Sequence, residues 1–185
     1  DLASTLDLAE EAEHLGTDAL VCLPPFYHAD APREGLQDYM QAVSERISVP
    51  LVLYNFPRHA GVRFTRDLLE NVEHFGMKDS SADLSLVDAT PRYFVGGDPL
   101  ILESVRAGGT GFVSGVANVQ PELYVELQEE MARENWGAAQ RLQEQVSENV
   151  SGLDPAYSIA TLKRRLAGRL EGYPVRVRPP LASPR

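Results

Sequence analysis

Short apolar runs alternate with longer amphipathic stretches along this chain, and the alternation predicts strands separated by helices. The runs lie at 19–24 (ALVCLP), 50–55 (PLVLYN), 74–78 (HFGMK), 92–96 (RYFVG) and 111–117 (GFVSGVA). They are short, lack a period of two, and are bounded by Gly, Pro or Asp, as strands buried on both faces are. Helical spacing covers 3–15, 33–47, 65–72, 82–89 and 98–107. A purely helical stretch follows over 121–150, where Pro121 suits a first turn and Trp136 is expected to pack inward, with a further helix near 155–170. A helix followed by repeated strand-helix units implies right-handed crossovers and a parallel sheet, so the fold class is α/β. Residues 1–120 carry the strand-helix units; 121–185 form a helical extension and tail of the same domain, ending in the extended segment RPPLASPR.

Composition narrows the class of partner. With 43% hydrophobic and 24% charged residues in 185, the chain is globular rather than disordered. No apolar run approaches the roughly 18 residues of a membrane-spanning helix, and the acidic, amphipathic start DLASTLDLAEEAEHLG is no secretory signal, so a cytoplasmic location is expected. The single cysteine, Cys22, sits among apolar neighbours and reads as a small core residue rather than a reactive thiol. A net charge of -10 argues against nucleic acid or an anionic membrane, leaving small molecules as the default partners. Beyond residue 162 seven basic residues face only Glu171, which suggests a basic segment docking on its own acidic body or on a partner subunit. His14, His28, His59 and His74 lack metal-ligand spacing, so no metal is expected. Gly108, Gly109 and Gly111 follow a helix and precede a strand, the reverse of a phosphate loop, and read as a helix cap and turn.

Chemistry in parallel α/β folds gathers at the carboxyl ends of strands. There the chain places Pro24-Pro25-Phe26-Tyr27-His28, Tyr54-Asn55-Phe56-Pro57, Met77-Lys78-Asp79-Ser80-Ser81 and Gly96-Gly97-Asp98. Lys78 is one of only two lysines, and it closes an apolar strand. A partly desolvated lysine is a nucleophile for carbonyls and forms a Schiff base; the structural alternative is a lysine that reaches the rim and pairs with Asp79. Tyr54, ending the neighbouring strand, suits a general acid and base beside that amine, or else is an ordinary half-buried strand tyrosine.

The series PPFYH, LYNFP with Gly61, MKDSS, GGD and GFVSGVANVQPE resembles the dihydrodipicolinate synthase / N-acetylneuraminate lyase family of pyruvate-dependent class I aldolases, over about Ala9 to Pro180. The resemblance implies a (β/α)8 TIM barrel with an appended C-terminal helical region, assembled as a homo-oligomer, usually a homotetramer. It makes Lys78 the Schiff-base lysine, Tyr54 the proton-relay tyrosine and Tyr27 a residue offered across a dimer interface. Backbone around Val113 would line the pyruvate pocket, and Gly97 and Asp98 would lie near the second substrate. It implies no metal or organic cofactor.

Departures from the family pattern bear on the substrate. The synthase's arginine, two residues after the Pro of YNxP, is His59 here, with Arg58 one residue early. The lyases' Glu and Ser positions hold Pro99 and Gly115, and Phe26 replaces a family tyrosine. The ending Gly172-Tyr173-Pro174 then Arg178-Pro179-Pro180 looks most like 2-keto-3-deoxygluconate-type aldolases, so cleavage or condensation of pyruvate with an aldehyde of the 2-keto-3-deoxy sugar acid type is favoured. The alternatives are a 4-hydroxy-tetrahydrodipicolinate synthase, using pyruvate and aspartate semialdehyde, a non-catalytic keto-acid-binding relative, and a barrel enzyme with a phosphate site. A closed barrel takes about 250 residues. The five predicted strands would be the fourth to eighth, in an N-terminally truncated piece, or the sequenced part of a longer chain, that has the reactive lysine but lacks the Gly-Thr-rich turn forming half of the pyruvate clamp.

Overall fold

Five strands pair in parallel and in chain order: β1 (Leu20–Cys22), β2 (Leu51–Asn55), β3 (Gly76–Asp79), β4 (Tyr93–Val95) and β5 (Gly111–Phe112). This computed structural model describes residues 1–183; Pro184 and Arg185, the end of the predicted extended tail and one of its basic residues, lie outside the described residues. The chain folds as two units, Asp1–Val113 and Ser114–Arg185, so the boundary falls at the end of the sheet.

In the first unit, α1 (Leu2–His14), α2 (Arg33–Arg46), α4 (Arg66–Asn71) and α5 (Ile101–Arg106) alternate with the strands, as the apolar spacing predicts. Asp1 caps α1 by accepting from Ser4 N, and Thr65 caps α4 by accepting from Leu68 N. A one-turn helix, α3 (Pro57–Ala60), opens on Pro57 and ends at Gly61 with φ 73, a left-handed cap that glycine adopts without strain. The helices contribute Met40, Val43, Leu68 and Ile101 to the core, and the strands contribute Leu53, Met77, Tyr93 and Val95.

Three expectations are corrected here. The segment 82–89 is a succession of turns and not a helix: Asp83 accepts from Ser85 N, Val87 N donates to Leu84 O and Ala89 N to Leu86 O. The aspartate side chain competes with the helical ladder, and Ala82 takes a positive φ of 60. Nor is every strand covered on both faces. Leu53, Asn55, Met77, Asp79, Tyr93 and Val95 are fully buried, whereas Tyr54, Lys78 and Phe94 on the opposite face are half-buried and Val21 of β1 is 59% exposed. Strand β5 is also shorter than predicted, stopping at Phe112, although Val113 N still donates to Val95 O at 2.9 Å.

The second unit is helical. The predicted stretch 121–150 is two helices, α6 (Pro121–Ala132) and α7 (Trp136–Ser151), packed on each other, followed by α8 (Ser158–Ala167). Pro121 stands in the first turn of α6 as expected, and Trp136 is half-buried at the start of α7. The break between them turns on Glu134, with φ 56, and on Asn135, which accepts from Ala138 N to cap α7. The basic segment docks on its own unit. Arg169 clamps both carboxylate oxygens of Glu122 in α6 and donates to Val119 O, while Arg165 donates to Asn149 O. Arg169 holds the Glu122 carboxyl well below the usual carboxylate range, at about 2.

Candidate active site at the strand ends

Parallel pairing brings the carboxyl ends of all five strands to one edge of the sheet. The register sets Tyr54 of β2 beside Lys78 of β3, and Lys78 beside Phe94 of β4. All three side chains therefore share a face, at one level. Lys78 Nζ lies 3.8 Å from the centre of the Tyr54 ring. Tyr54 stacks on Phe56 at 5.4 Å between centroids, and His59 packs edge-on against Phe56 at 4.4 Å. The result is an amine at the end of a file of three rings. Among the described residues no hydrogen-bond or ion-pair partner holds that amine. The alternative in which Lys78 pairs with Asp79 is not realised, because adjacent strand residues point to opposite faces.

Asp79 lies on the buried face, 1% exposed, with Asn55 at 0% and Tyr93 at 1%. Its Oδ1 accepts from Asn55 Nδ2 at 3.0 Å and from Ser81 N at 2.8 Å; its Oδ2 accepts from Tyr93 Oη at 3.1 Å. Asn55 Oδ1 in turn accepts from Phe64 N at 3.1 Å. Burial first, then the Asp79 charge and hydrogen bond, push the Tyr93 phenol well above its ordinary value, so it stays a donor. The backbone continues the lattice: Ser80 N donates to Asn55 O at 2.8 Å and Gly96 N to Asp79 O at 2.6 Å. A Cβ at Gly96 would lie 2.1 Å from Ser80 Oγ and 3.1 Å from Asp79 O, so a side chain here would displace the Ser80 hydroxyl and press on the end of β3.

The other predicted residues stand at the same edge without touching the amine. Tyr27 is 85% exposed in the loop after β1, its ring edge-on to His28 at 5.5 Å. Val113 is 48% exposed and continues the pairing of β5. Gly97 and Asp98 lead into a one-turn 3-10 helix, Asp98–Leu100, and both are half-buried. His59 is exposed and joins the site only through Phe56. The Gly108-Gly109 pair caps α5, with Gly108 at φ 101 and Gly109 N donating to Ser104 O, as the sequence predicts. Among the described residues no group of three or more His, Cys, Asp or Glu side chains is arranged to hold a metal ion. Cys22 is half-buried, and desolvation pushes its thiol up to about 11, which suits an unreactive side chain. Sequence reasoning missed the role of Phe56, which joins Tyr54 to His59, and the reach of Tyr93 to Asp79; the one available signal for the latter was a tyrosine opening an otherwise apolar strand.

A model of the Dihydrodipicolinate synthetase family matches residues 1–184. The chain belongs to that family. Among the family's curated members, the 4-hydroxy-tetrahydrodipicolinate synthase of Methanopyrus kandleri is 36% identical over 136 residues, covering 67% of this chain and 45% of that protein. The enzyme of the same name from Archaeoglobus fulgidus is 33% identical over 139 residues, covering 69% and 48% respectively. Of the family's solved structures, a Bacillus anthracis dihydrodipicolinate synthase superposes with a TM-score of 0.89 at 25% identity, covering 100% of this chain and 66% of that one. The Ruminococcus gnavus sialic acid aldolase superposes with a TM-score of 0.86 at 27% identity, covering 98% and 64%. The chain thus spans about half the length of the curated relatives it matches. No helix among the described residues is long and apolar enough to cross a membrane.

Proposed function

We propose that this chain carries the Schiff-base lysine of a pyruvate-dependent class I aldolase, and that its strands correspond to the fourth to eighth of the family's (β/α)8 barrel. One observation carries the reading: at adjacent strand ends, the amine of Lys78, unpaired among the described residues, lies 3.8 Å from the centre of the Tyr54 ring. In its neutral form that amine attacks the keto carbon of pyruvate or of a 2-keto-3-deoxy acid, giving a carbinolamine. Loss of water then leaves an iminium cation, an electron sink that permits either deprotonation to the enamine or cleavage of the adjacent C–C bond. The Tyr54 ring face favours the iminium charge through a cation–π contact, and its hydroxyl moves the protons. In this scheme Val113, Gly97, Asp98 and His59 are the substrate-binding residues, and no metal or organic cofactor is used.

For the aldehyde, the names of the curated relatives support condensation of pyruvate with aspartate semialdehyde. His59, at the position of the synthase arginine, and the sialic acid aldolase likeness support a 2-keto-3-deoxy sugar acid. Tyr27, exposed and without a contact to the amine in its own chain, suits delivery to a second copy in a cytoplasmic homo-oligomer. Borohydride reduction in the presence of pyruvate should add one pyruvate-derived mass, mapping to the peptide that contains Lys78. Lys78→Ala should abolish it. An unchanged mass after treatment of the folded wild-type chain overturns the proposal, whereas keto-acid binding with no aldehyde release favours the non-catalytic relative. Assaying a panel of 2-keto-3-deoxy acids beside aspartate semialdehyde condensation distinguishes the two substrate readings.

A further inference from the structure

The Asp79 carboxylate and the Asn55 and Tyr93 side chains that bond it lie on the face of the sheet away from the amine, and this arrangement suggests a role for a carboxylate that does no chemistry itself. We infer that Asp79 is a positioning residue for Lys78, and that it does this work together with Tyr93 and Asn55. The inference rests on the Schiff-base reading of Lys78.

Lys78 is a chain of four methylenes whose amine has no hydrogen-bond partner among the described residues and rests 3.8 Å from the centre of the Tyr54 ring, so its reach to that ring depends on the Cα–Cβ direction set by the backbone of residues 78–79. That backbone is pinned from both neighbouring strands. Asp79 draws a side-chain donor from β2 through Asn55 and another from β4 through Tyr93, and closes a turn on Ser81 N. The main chain adds Ser80 N to Asn55 O and Gly96 N to Asp79 O. The carboxylate is buried, and three neutral donors are its partners; no cation pairs with it among the described residues. A buried acceptor so fully engaged admits few orientations, and loss of any one donor leaves the rest free to rotate. Because strand side chains alternate, fixing Asp79 on one face fixes Lys78 on the other, against the Tyr54 ring. A small displacement of a reacting group costs rate long before it costs fold.

The test compares Asp79→Ala, Asp79→Asn and Tyr93→Phe with wild type in borohydride trapping of pyruvate, scoring the two lysines separately by peptide mass and normalising to the folded fraction by circular dichroism. Lys163, the only other lysine, sits in the helical unit and reports background reaction. A positioning role predicts that Asp79→Ala and Tyr93→Phe slow trapping at Lys78 about tenfold or more per folded molecule at saturating pyruvate, with the half-saturating concentration changed less than twofold. Asp79→Asn, which keeps an acceptor for Asn55 and Ser81 and lets Tyr93 accept instead of donate, should recover most of the wild-type rate. Background at Lys163 should not move. Wild-type rates per folded molecule in Asp79→Ala and Tyr93→Phe would show a merely structural network and overturn the inference alone. An Asp79→Asn rate as low as that of Asp79→Ala would overturn it in favour of a direct requirement for the charge. Absence of any adduct in wild type would instead overturn the Schiff-base reading, and this inference with it.

Discussion

Tyr54 offers two separable things to the amine beside it, a ring face at 3.8 Å and a hydroxyl. Tyr54→Phe keeps the first and removes the second. Turnover is therefore expected to fall about 100-fold, within the range of a lost general acid, while the borohydride-trapped adduct still accumulates. Tyr54→Leu removes both, and its adduct yield should drop below that of Tyr54→Phe; equal yields in a mass assay would show that the ring face does nothing for the iminium. Glu122 gives a second prediction at this scale. Arg169 lowers its carboxyl to about 2 from 4.5, so the stability this pair contributes is present above pH 4.5 and is lost as the pH falls toward 2. Arg169→Ala should return the Glu122 titration toward 4.5 in a carboxyl-resolved NMR pH series, and a Glu122 midpoint still near 2 would contradict the assignment.

At the scale of elements, close backbone approach decides which positions tolerate a side chain. A Cβ on Gly76 at the start of β3 would lie 2.7 Å from Arg92 O and 2.9 Å from Arg92 Cβ, and the nearer of these atoms is backbone. Gly76→Ala is expected to destabilise the sheet unit by about 1–3 kcal/mol, read as a lower urea midpoint at unchanged slope. Much of this level is legible in the sequence. The apolar runs 50–55 and 92–96 coincide with β2 and β4 to within a residue or so, because an unbroken run of apolar and aromatic residues leaves a plain hydrophobic signal. The segment 82–89 defeats the same logic, since the apolar spacing of Leu84, Leu86 and Val87 satisfies a turn succession as well as a helix, and Asp83 settles which forms. Lys78 and Tyr54 are legible as strand-end residues. Their contact, and the reach of Tyr93 and Asn55 to Asp79, depend on strand register, which no local pattern carries.

Taken whole, the described molecule has two edge strands, β1 and β5, at the ends of a parallel sheet. On the β1 side Leu8, Val21 and Leu23 are exposed, beside a groove of about 480 Å³ that Leu20 and Ala9 also line. Unpaired edges with apolar side chains template association between chains. Val21→Lys, a charge on the edge strand, should therefore shift the sedimentation-velocity distribution toward smaller species at equal concentration; an unaltered distribution would show that this edge does not associate.

Strand order that repeats chain order has a consequence for how the sheet comes into being. Each strand's partner is the one synthesised just before it, so β2 has β1 to pair with, and β3 has β2, before any later strand has left the ribosome. Loop closure at each step spans one crossover only, and the sheet grows without threading a strand between two already paired. The end of β3 acquires its Asn55 tether as soon as it pairs with β2, but the Tyr93 tether waits for β4. The amine is thus present in the nascent sheet before the last of the contacts that aim it.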